Sequence, residues 1–258
     1  MKMLMLLIML TCSLSVRADN DVNGDGHTAI GDVAKLIDWL LNPDMTNGHD
    51  YVDLGLPSGT LWATTNVGST STTDYGQLFA WGETSEKSIY NWQTYQWAED
   101  DTTLTRYSGH RDTLWLCDDV ACRQWGGLWQ LPTLAQFQEL TRYCRWSWAL
   151  VNGVYGYRVT NNGTGIFLPA AGYQTEAIIY DRNSTGYYWT CENHAVDSLL
   201  AYGFYLSKDN YLWGYRSRSG GRSVRAVFNP SDALIRYDIN GDGLLTISDI
   251  TALLPSLW

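Results

Sequence analysis

The sequence predicts an α+β protein in which a domain of small antiparallel sheets is inserted between two loop–helix halves at the chain ends. Two observations predict this arrangement. A 21-residue segment near the amino terminus is repeated without a gap at the carboxyl terminus. The chain between the copies is rich in short aromatic and β-branched runs separated by turn residues. We therefore expect four parts, at residues 1–18, 19–44, 45–231 and 232–258.

The first part has the features of a secretory signal peptide. Lys2 precedes an apolar run at residues 3–10, and Val16 and Ala18 are suitable residues before a cleavage point. The run is too short to span a bilayer, and no transmembrane segment is expected elsewhere. We expect a protein that is secreted or held at the cell surface, and Cys12 leaves lipidation open as an alternative.

Both copies of the repeat open like a calcium-binding loop. Each begins D-x-N-x-D-G and has an aspartate at the twelfth loop position. In EF-hand loops, positions one, three and five direct oxygen ligands inward, and position seven contributes its backbone carbonyl. The sequence predicts two Ca²⁺ ions: one is held by Asp21, Asn23, Asp25, His27 and Asp32, and the other by Asp238, Asn240, Asp242, Leu244 and Asp249.

A short helix is expected after each loop. Apolar residues follow both loops at the spacing of one helix face, and a single short helix cannot bury such a stripe alone. The two helices should therefore pack on each other in an EF-hand-like module. Pro255 should kink or shorten the second helix because it lacks an amide donor. The stripes are Val33, Leu36, Ile37, Leu40 and Leu41, and Ile250, Leu253, Leu254, Leu257 and Trp258.

Between the two halves, the sequence predicts short strands and one clear helix. Thr133 follows Pro132 as an N-cap signal, and helical spacing of apolar residues continues from Leu134. Runs at residues 165–168, 186–189, 201–206 and 223–228 are typical of strands. Four cysteines lie here, and disulfides or buried thiols are equal alternatives, with zinc binding a weaker third. They are Cys117, Cys122, Cys144 and Cys191.

Two family resemblances rest on these motifs. The paired loops with aspartate at position twelve resemble a type I-like dockerin, the module by which secreted proteins bind a cohesin. Its repeats normally follow one another closely, whereas these begin at residues 21 and 238, so the resemblance implies a split dockerin. Residues 51–228 resemble the bacterial major paralogous domain (FISUMP) group of the C-type lectin-like superfamily. The matching segments are YVDLGLPSG (51–59), LWA (61–63), AWGE (80–83), WGGLWQLPT (125–133), IFLPAAGY (166–173), GYYW (186–189) and SVRAV (223–227).

The lectin-like resemblance implies that the first and last strands of the inserted domain lie together, as a split module requires. It does not carry over calcium-dependent sugar binding, because the Glu-Pro-Asn or Gln-Pro-Asp and Trp-Asn-Asp triplets of such lectins are absent. The candidate ligand residues lie in the loop 208–222. Strand alternation would put Tyr211, Trp213 and Tyr215 on one face, next to Arg216, where they bind a ligand or simply cover a sheet.

Composition and motifs narrow the function classes. The chain has 17 Lys and Arg against 27 Asp and Glu, so no nucleic-acid partner is expected. No catalytic motif is present, although Glu83 with Asp197 or Glu192 would be the carboxylates for a glycosidase. We expect a non-catalytic module that binds a cohesin-bearing partner and a glycan or surface protein. Two alternatives remain: a calcium clasp that only closes the domain ends, and an enzyme of a polysaccharide-degrading assembly.

Overall fold

The computed structural model describes residues 22, 27–41, 45–109, 113–232, 239 and 246–257. It divides into two compact units: the central unit, Thr46–Asn229, and the terminal unit, which comprises the described residues of Met1–Met45 and Pro230–Trp258. The protein is mixed α+β with small antiparallel sheets and few helices, as the sequence predicts. None of the described helices has the length and apolar character needed to cross a membrane.

The secondary structure follows a simple order along the described chain. One helix precedes the central unit. Inside the central unit, two strands are followed by four short helices and then by nine strands, and one helix with a 3₁₀ turn follows the unit. The elements are α1 Ile30–Leu41, β1 Tyr51–Asp53, β2 Leu61–Ala63, η1 Trp92–Thr94, η2 Leu116–Asp118, α2 Val120–Trp125, α3 Leu134–Tyr143, β3 Arg145–Val151, β4 Val154–Asn161, β5 Thr164–Pro169, β6 Tyr173–Thr175, β7 Ile178–Tyr180, β8 Thr185–Asn193, β9 Leu200–Ser207, β10 Asn210–Ser217, β11 Val227–Phe228, α4 Ile247–Leu253 and η3 Leu254–Leu257.

The first and last strands of the central unit belong to one sheet. Strand β2 pairs antiparallel with both β1 and β11, so that Trp62 lies opposite Val52 and Val227. Just after β11, the Asn229 side chain donates a hydrogen bond to the carbonyl of Ser58 at 2.7 Å. The two ends of the central unit therefore lie side by side.

Three further sheets complete the central unit, in the strand orders β3-β4-β5, β10-β9-β8 and β6-β7. Helix α3 packs on the second of these, and Phe137 stacks on Phe204 with ring centroids 4.8 Å apart. The helix begins where the sequence predicts, because Thr133 and Gln136 form a reciprocal capping box. The helix and this sheet share a hydrophobic core with buried residues of β2, β4, β5 and β11.

The structure differs from the sequence expectation near the end of the central unit. Residues 223–228 were predicted as one strand, but only Val227–Phe228 form β11. Ser223 instead bridges to Tyr188 in the neighbouring sheet, and the segment then changes partner to reach β2. A stretch that contributes to two sheets cannot be a single regular strand. The predicted loop 208–222 is likewise mostly a strand, β10.

In the terminal unit, helices α1 and α4 are in contact, as the apolar stripes predict, but Ile37 and Leu254 of these stripes are exposed. Val33, Leu36 and Leu253 are buried. Helix α4 ends at Leu253 and continues as the 3₁₀ turn η3, which contains Pro255, so the predicted shortening by this proline is confirmed.

The buried phenol of Tyr188 makes the fold sensitive to alkaline pH. It donates to the carbonyl of Pro169 at 2.7 Å, and burial raises its pKa from 10.0 to about 12. The contribution of this group to stability is complete below pH 10 and is lost as the pH rises towards 12, because the unfolded state ionises first. We expect Tyr188→Phe to reduce the loss of unfolding free energy across this interval by roughly 2–3 kcal/mol, measured by urea unfolding at successive pH values. An equal loss in the variant would contradict this.

Candidate functional site

Three of the ten predicted calcium ligands lie within the described residues. His27 is exposed, whereas Asp32 and Asp249 are completely buried in the terminal unit. The other seven, Asp21, Asn23, Asp25, Asp238, Asn240, Asp242 and Leu244, lie outside the described residues. Among the described residues alone, no group of three or more His, Cys, Asp or Glu is arranged to hold a metal ion.

Asp32 and Asp249 occupy the twelfth position of their loops and make equivalent hydrogen bonds. The amide of Ala29 donates to Asp32 Oδ2 at 2.7 Å, and the amide of Thr246 donates to Asp249 Oδ2 at 2.8 Å. Asp249 Oδ1 also accepts from the amide of Ile239 at 2.9 Å, which ties the second loop position to the twelfth. The sequence repeat is therefore also a repeat in local structure at the end of each loop.

The terminal unit also exposes apolar side chains in pairs related by the repeat. Ile30 and Ile247, at the tenth loop position of each copy, are 72% and 76% exposed. Ile37 and Leu254, about two helical turns further along each copy, form a second exposed pair. The two copies of the repeat therefore expose apolar side chains at the same positions.

Strand β10 carries the predicted ligand residues at the edge of its sheet. Tyr211, Trp213 and Tyr215 lie on one face. The first two lie opposite Leu206 and Phe204 of β9, which are core residues. Tyr211 stacks on Trp146 at 4.5 Å between centroids and packs against the core. Trp213 and Tyr215 are 47% and 50% exposed, so only these two present accessible rings.

The imidazole of His194 joins this pair, with its centroid 4.3 Å from the Tyr215 ring. The sequence did not single out His194. This residue follows β8, and it lies near β10 only because both strands pair with β9. Arg216 does not join the pair. Successive strand residues point to opposite faces, and its guanidinium lies 5.3 Å from the centroid of the Tyr187 ring instead.

That opposite face carries a feature that the sequence did not reveal, which we call the tyrosine row. Four tyrosine rings follow one another in contact, with centroid separations of 5.4, 5.1 and 5.0 Å. Because the rings come from four different strands, no spacing along the chain shows the row. Arg222 lies behind it, and burial together with the nearby charge of Arg216 lowers the pKa of Arg222 to about 9. The row consists of Tyr180, Tyr173, Tyr187 and Tyr205.

The carboxylates considered for a glycosidase are each engaged with the backbone. Glu83 accepts from the amide of Gln96 at 2.7 Å and pairs with Lys87 at the same distance, so it holds a loop in place. Glu192 accepts from the first amide of α3 at 2.6 Å, and Asp197 accepts from the amide of Leu199 at 2.9 Å. All three carboxylates therefore hold backbone amides in place.

Cys144 and Cys191 are both thiols in the structure. Burial raises the pKa of Cys144 to about 11 and raises the pKa of Cys191 well above its usual value. Since the thiolate is the reactive form, neither position has the environment of an activated nucleophile.

No protein-family model matches the chain, and neither a curated protein nor a solved structure matches it. A function can therefore be inferred only from the fold and from the residues of the two units.

Proposed function

We propose that the protein is a secreted, non-catalytic binding or adhesion module. Its chain ends form a split dockerin that binds two Ca²⁺ ions and docks to a cohesin-type partner, and its central unit is a C-type lectin-like domain that presents a surface to a glycan or a surface protein. One observation carries the calcium part of the proposal: Asp32 and Asp249, which the repeat relates, are buried with equivalent hydrogen bonds at the twelfth loop position.

Charge supports calcium binding at these positions. Residues 19–44 carry six acids and one Lys, and residues 232–258 carry four acids and one Arg. Carboxylates are rarely buried in proteins unless they are paired or bind a metal, and Ca²⁺ takes six to eight oxygen ligands. Two bound Ca²⁺ ions would offset four of the negative charges that these two segments carry.

The exposed apolar pairs favour docking over the clasp alternative. A clasp that only closed the domain ends gives no reason for Ile30 and Ile247 to be exposed, whereas a docked partner would cover both side chains. We expect a panel of cohesin domains to retain the protein in Ca²⁺ but not in EDTA. Ile30→Ser with Ile247→Ser should reduce retention at least about tenfold without changing the melting temperature.

Ala34→Ser is the matched control for this experiment, since Ala34 is also exposed on α1 but its side chain is too small to anchor a partner. Retention equal to wild type in the double isoleucine variant contradicts docking through this surface. Empty pull-downs with a calcium-dependent melting temperature would instead support the clasp.

In the central unit, the exposed rings of Trp213 and Tyr215 are the proposed ligand surface. Aromatic rings with one polar edge suit stacking on a sugar ring or anchoring of a protein side chain. We expect Trp213→Ala with Tyr215→Ala to abolish retention on a glycan array while the melting temperature stays within about 2 °C. Leu212→Ala, on the same strand but the opposite face, should bind normally. Product release from a polysaccharide that depended on Glu83 or Asp197 would contradict the non-catalytic part of the proposal.

A further inference from the structure

The sheet β3-β4-β5 has one face in the core and one face towards solvent. Trp146 and Trp148 of β3 pack against the core together with Tyr157 of β4. Because successive strand residues point to opposite faces, Arg145 and Arg158 project from the other side of the sheet, and both are exposed. The packed aromatic residues therefore fix the backbone that carries two solvent-facing arginines.

The strand register places these two arginines next to each other. Arg145 of β3 lies opposite Thr160 of β4, and Ser147 lies opposite Arg158. The two arginines are thus diagonal neighbours, which in an antiparallel pair lie about 7–8 Å apart. Within the described chain, neither forms an ion pair with a carboxylate. Two like charges this close repel each other, and an anion bound between them would offset that repulsion.

A groove lies along the exposed side of this sheet, near the turn between β4 and β5. Its deeper part has a volume of about 360 Å³ and includes Arg158 in its lining. A more open depression, lined by Arg142 and Arg145, adjoins the deeper part, because Thr160 and Gly163 line both. All three arginines therefore border the same groove.

The lining of this groove is polar and carries no acidic side chain. It contains three arginines and no aspartate or glutamate, in a chain that has 27 acidic residues and 17 Lys and Arg. Hydroxyl and amide groups supply much of the remaining lining. They belong to Thr64, Thr72, Thr160, Thr164, Asn161 and Asn162. The groove therefore differs in charge from the protein as a whole.

One carboxylate acts on this surface from helix α3. Burial and the charge of Glu139 raise the pKa of Cys144, which lines the open part of the groove, to about 11. Both oxygens of Glu139 accept hydrogen bonds from Ser58, one from its amide at 2.9 Å and one from its hydroxyl at 2.6 Å. This carboxylate is therefore engaged by Ser58 and leaves the arginines to a ligand.

We propose that the groove binds an anionic polysaccharide, whose charged groups pair with Arg145 and Arg158. A guanidinium offers a planar pair of donors that matches the oxygens of a carboxylate or a sulfate ester. The threonine and asparagine side chains provide hydrogen-bond partners for sugar hydroxyls. A protein partner fits less well, because protein interfaces depend on buried aromatic and apolar anchors. The proposal rests on the glycan part of the proposed function, but it uses a different sheet from Trp213 and Tyr215.

Calorimetric titration of the full chain with matched probes tests the proposal. Tetragalacturonate supplies carboxylates and dextran sulfate supplies sulfate esters, and their neutral counterparts are methyl-esterified tetragalacturonate and dextran. We expect at least one anionic probe to bind, less tightly as the salt concentration is raised, and its neutral counterpart to bind at least about tenfold more weakly. The probe that binds identifies the anion as carboxylate or sulfate.

Arg145→Gln and Arg158→Gln remove the two charges and keep a polar side chain. Each should weaken binding about fivefold, and the double variant at least about tenfold. The melting temperature should not change, because both positions are exposed. Lys208→Gln is the control with the same change in charge and should bind like wild type. Lys208 is exposed at the turn after β9, and its carbonyl accepts from Tyr157 on the core side of the sheet.

No binding of either anionic probe, equal binding of the neutral probes, or unchanged binding by the folded double variant would overturn the proposal. Polyglutamate that bound as tightly as the anionic sugars would also overturn it and mark the groove as a site for an acidic peptide. Trp213→Ala with Tyr215→Ala should leave binding of the anionic probes unchanged, so a failure of this groove is distinguished from a failure of the surface on β10. Loss of anionic binding in that variant would place the site on β10 and contradict the groove.

Discussion

Arg225→Met is expected to lower the free energy of unfolding by about 3–5 kcal/mol. The guanidinium is completely buried and donates to Asn66 Oδ1 at 2.9 Å and to the carbonyl of Phe167 at 2.8 Å, with two longer bonds to the carbonyls of Ala63 and Thr64. The Arg225 guanidinium therefore joins the end of strand β2, at Ala63 and Thr64, to strand β5, at Phe167. Hydrogen bonds from a charged donor contribute about 1.5–3 kcal/mol each. Burial of the charge, which lowers the pKa of Arg225 to about 10, offsets part of that gain.

Urea unfolding followed by tryptophan fluorescence measures this effect. Arg145→Met is the control, because Arg145 is exposed and its replacement should change the unfolding free energy by no more than about 0.5 kcal/mol. A change below about 1 kcal/mol in Arg225→Met would show that these four hydrogen bonds do not stabilise the central unit.

Calcium is expected to stabilise the terminal unit by about 2.7 kcal/mol per site when the free ion is at one hundred times its dissociation constant. In the proposed calcium loops several carboxylates would lie close together, and without the ion their mutual repulsion would oppose folding. Differential scanning calorimetry should show one transition that moves to higher temperature with Ca²⁺ and one, from the central unit, that does not. Far-ultraviolet circular dichroism should show helix gained as the ion binds.

Asp32→Asn and Asp249→Asn each keep the side-chain shape but remove one charged ligand, so each should halve the calcium-dependent shift in unfolding free energy. Asp53→Asn, an exposed position in the central unit, is the control and should leave the shift unchanged. A terminal-unit transition that is the same in Ca²⁺ and in EDTA would contradict calcium binding at these loops.

Local patterns in the sequence predicted the local elements well. Thr133 and Pro132 placed the start of α3, and Pro255 placed the end of α4, because caps and missing amide donors act within a few residues. The contact between the two terminal helices followed from apolar stripes that neither helix can bury alone. The mixed α+β class followed from the short runs between turn residues.

Features that depend on the pairing of distant strands were not visible in the sequence. Alternation alone could not show that Tyr211 packs inward on Trp146 while Trp213 remains accessible, since both lie on the same face of β10. The sequence pattern also gave no sign that Arg218 and Arg222 are interior residues. The structure instead buries Arg218 and Arg222, because the residues after β10 turn into the interior of the central unit.

The tyrosine row likewise could not be predicted from the sequence. Tyr173 and Tyr187 contact each other across the boundary between the β6–β7 hairpin and strand β8, a relation that tertiary packing alone creates. A contact of this kind leaves no motif in the sequence, because it joins residues of different strands.

Calcium titration into the full chain, followed by isothermal calorimetry, tests most directly whether the two chain ends form one metal-binding module. Two ions per chain are expected for wild type, one for Asp25→Ala, one for Asp242→Ala and none for the double variant. No calcium binding by the wild-type chain, or two ions still bound by the double variant, would contradict a split calcium module.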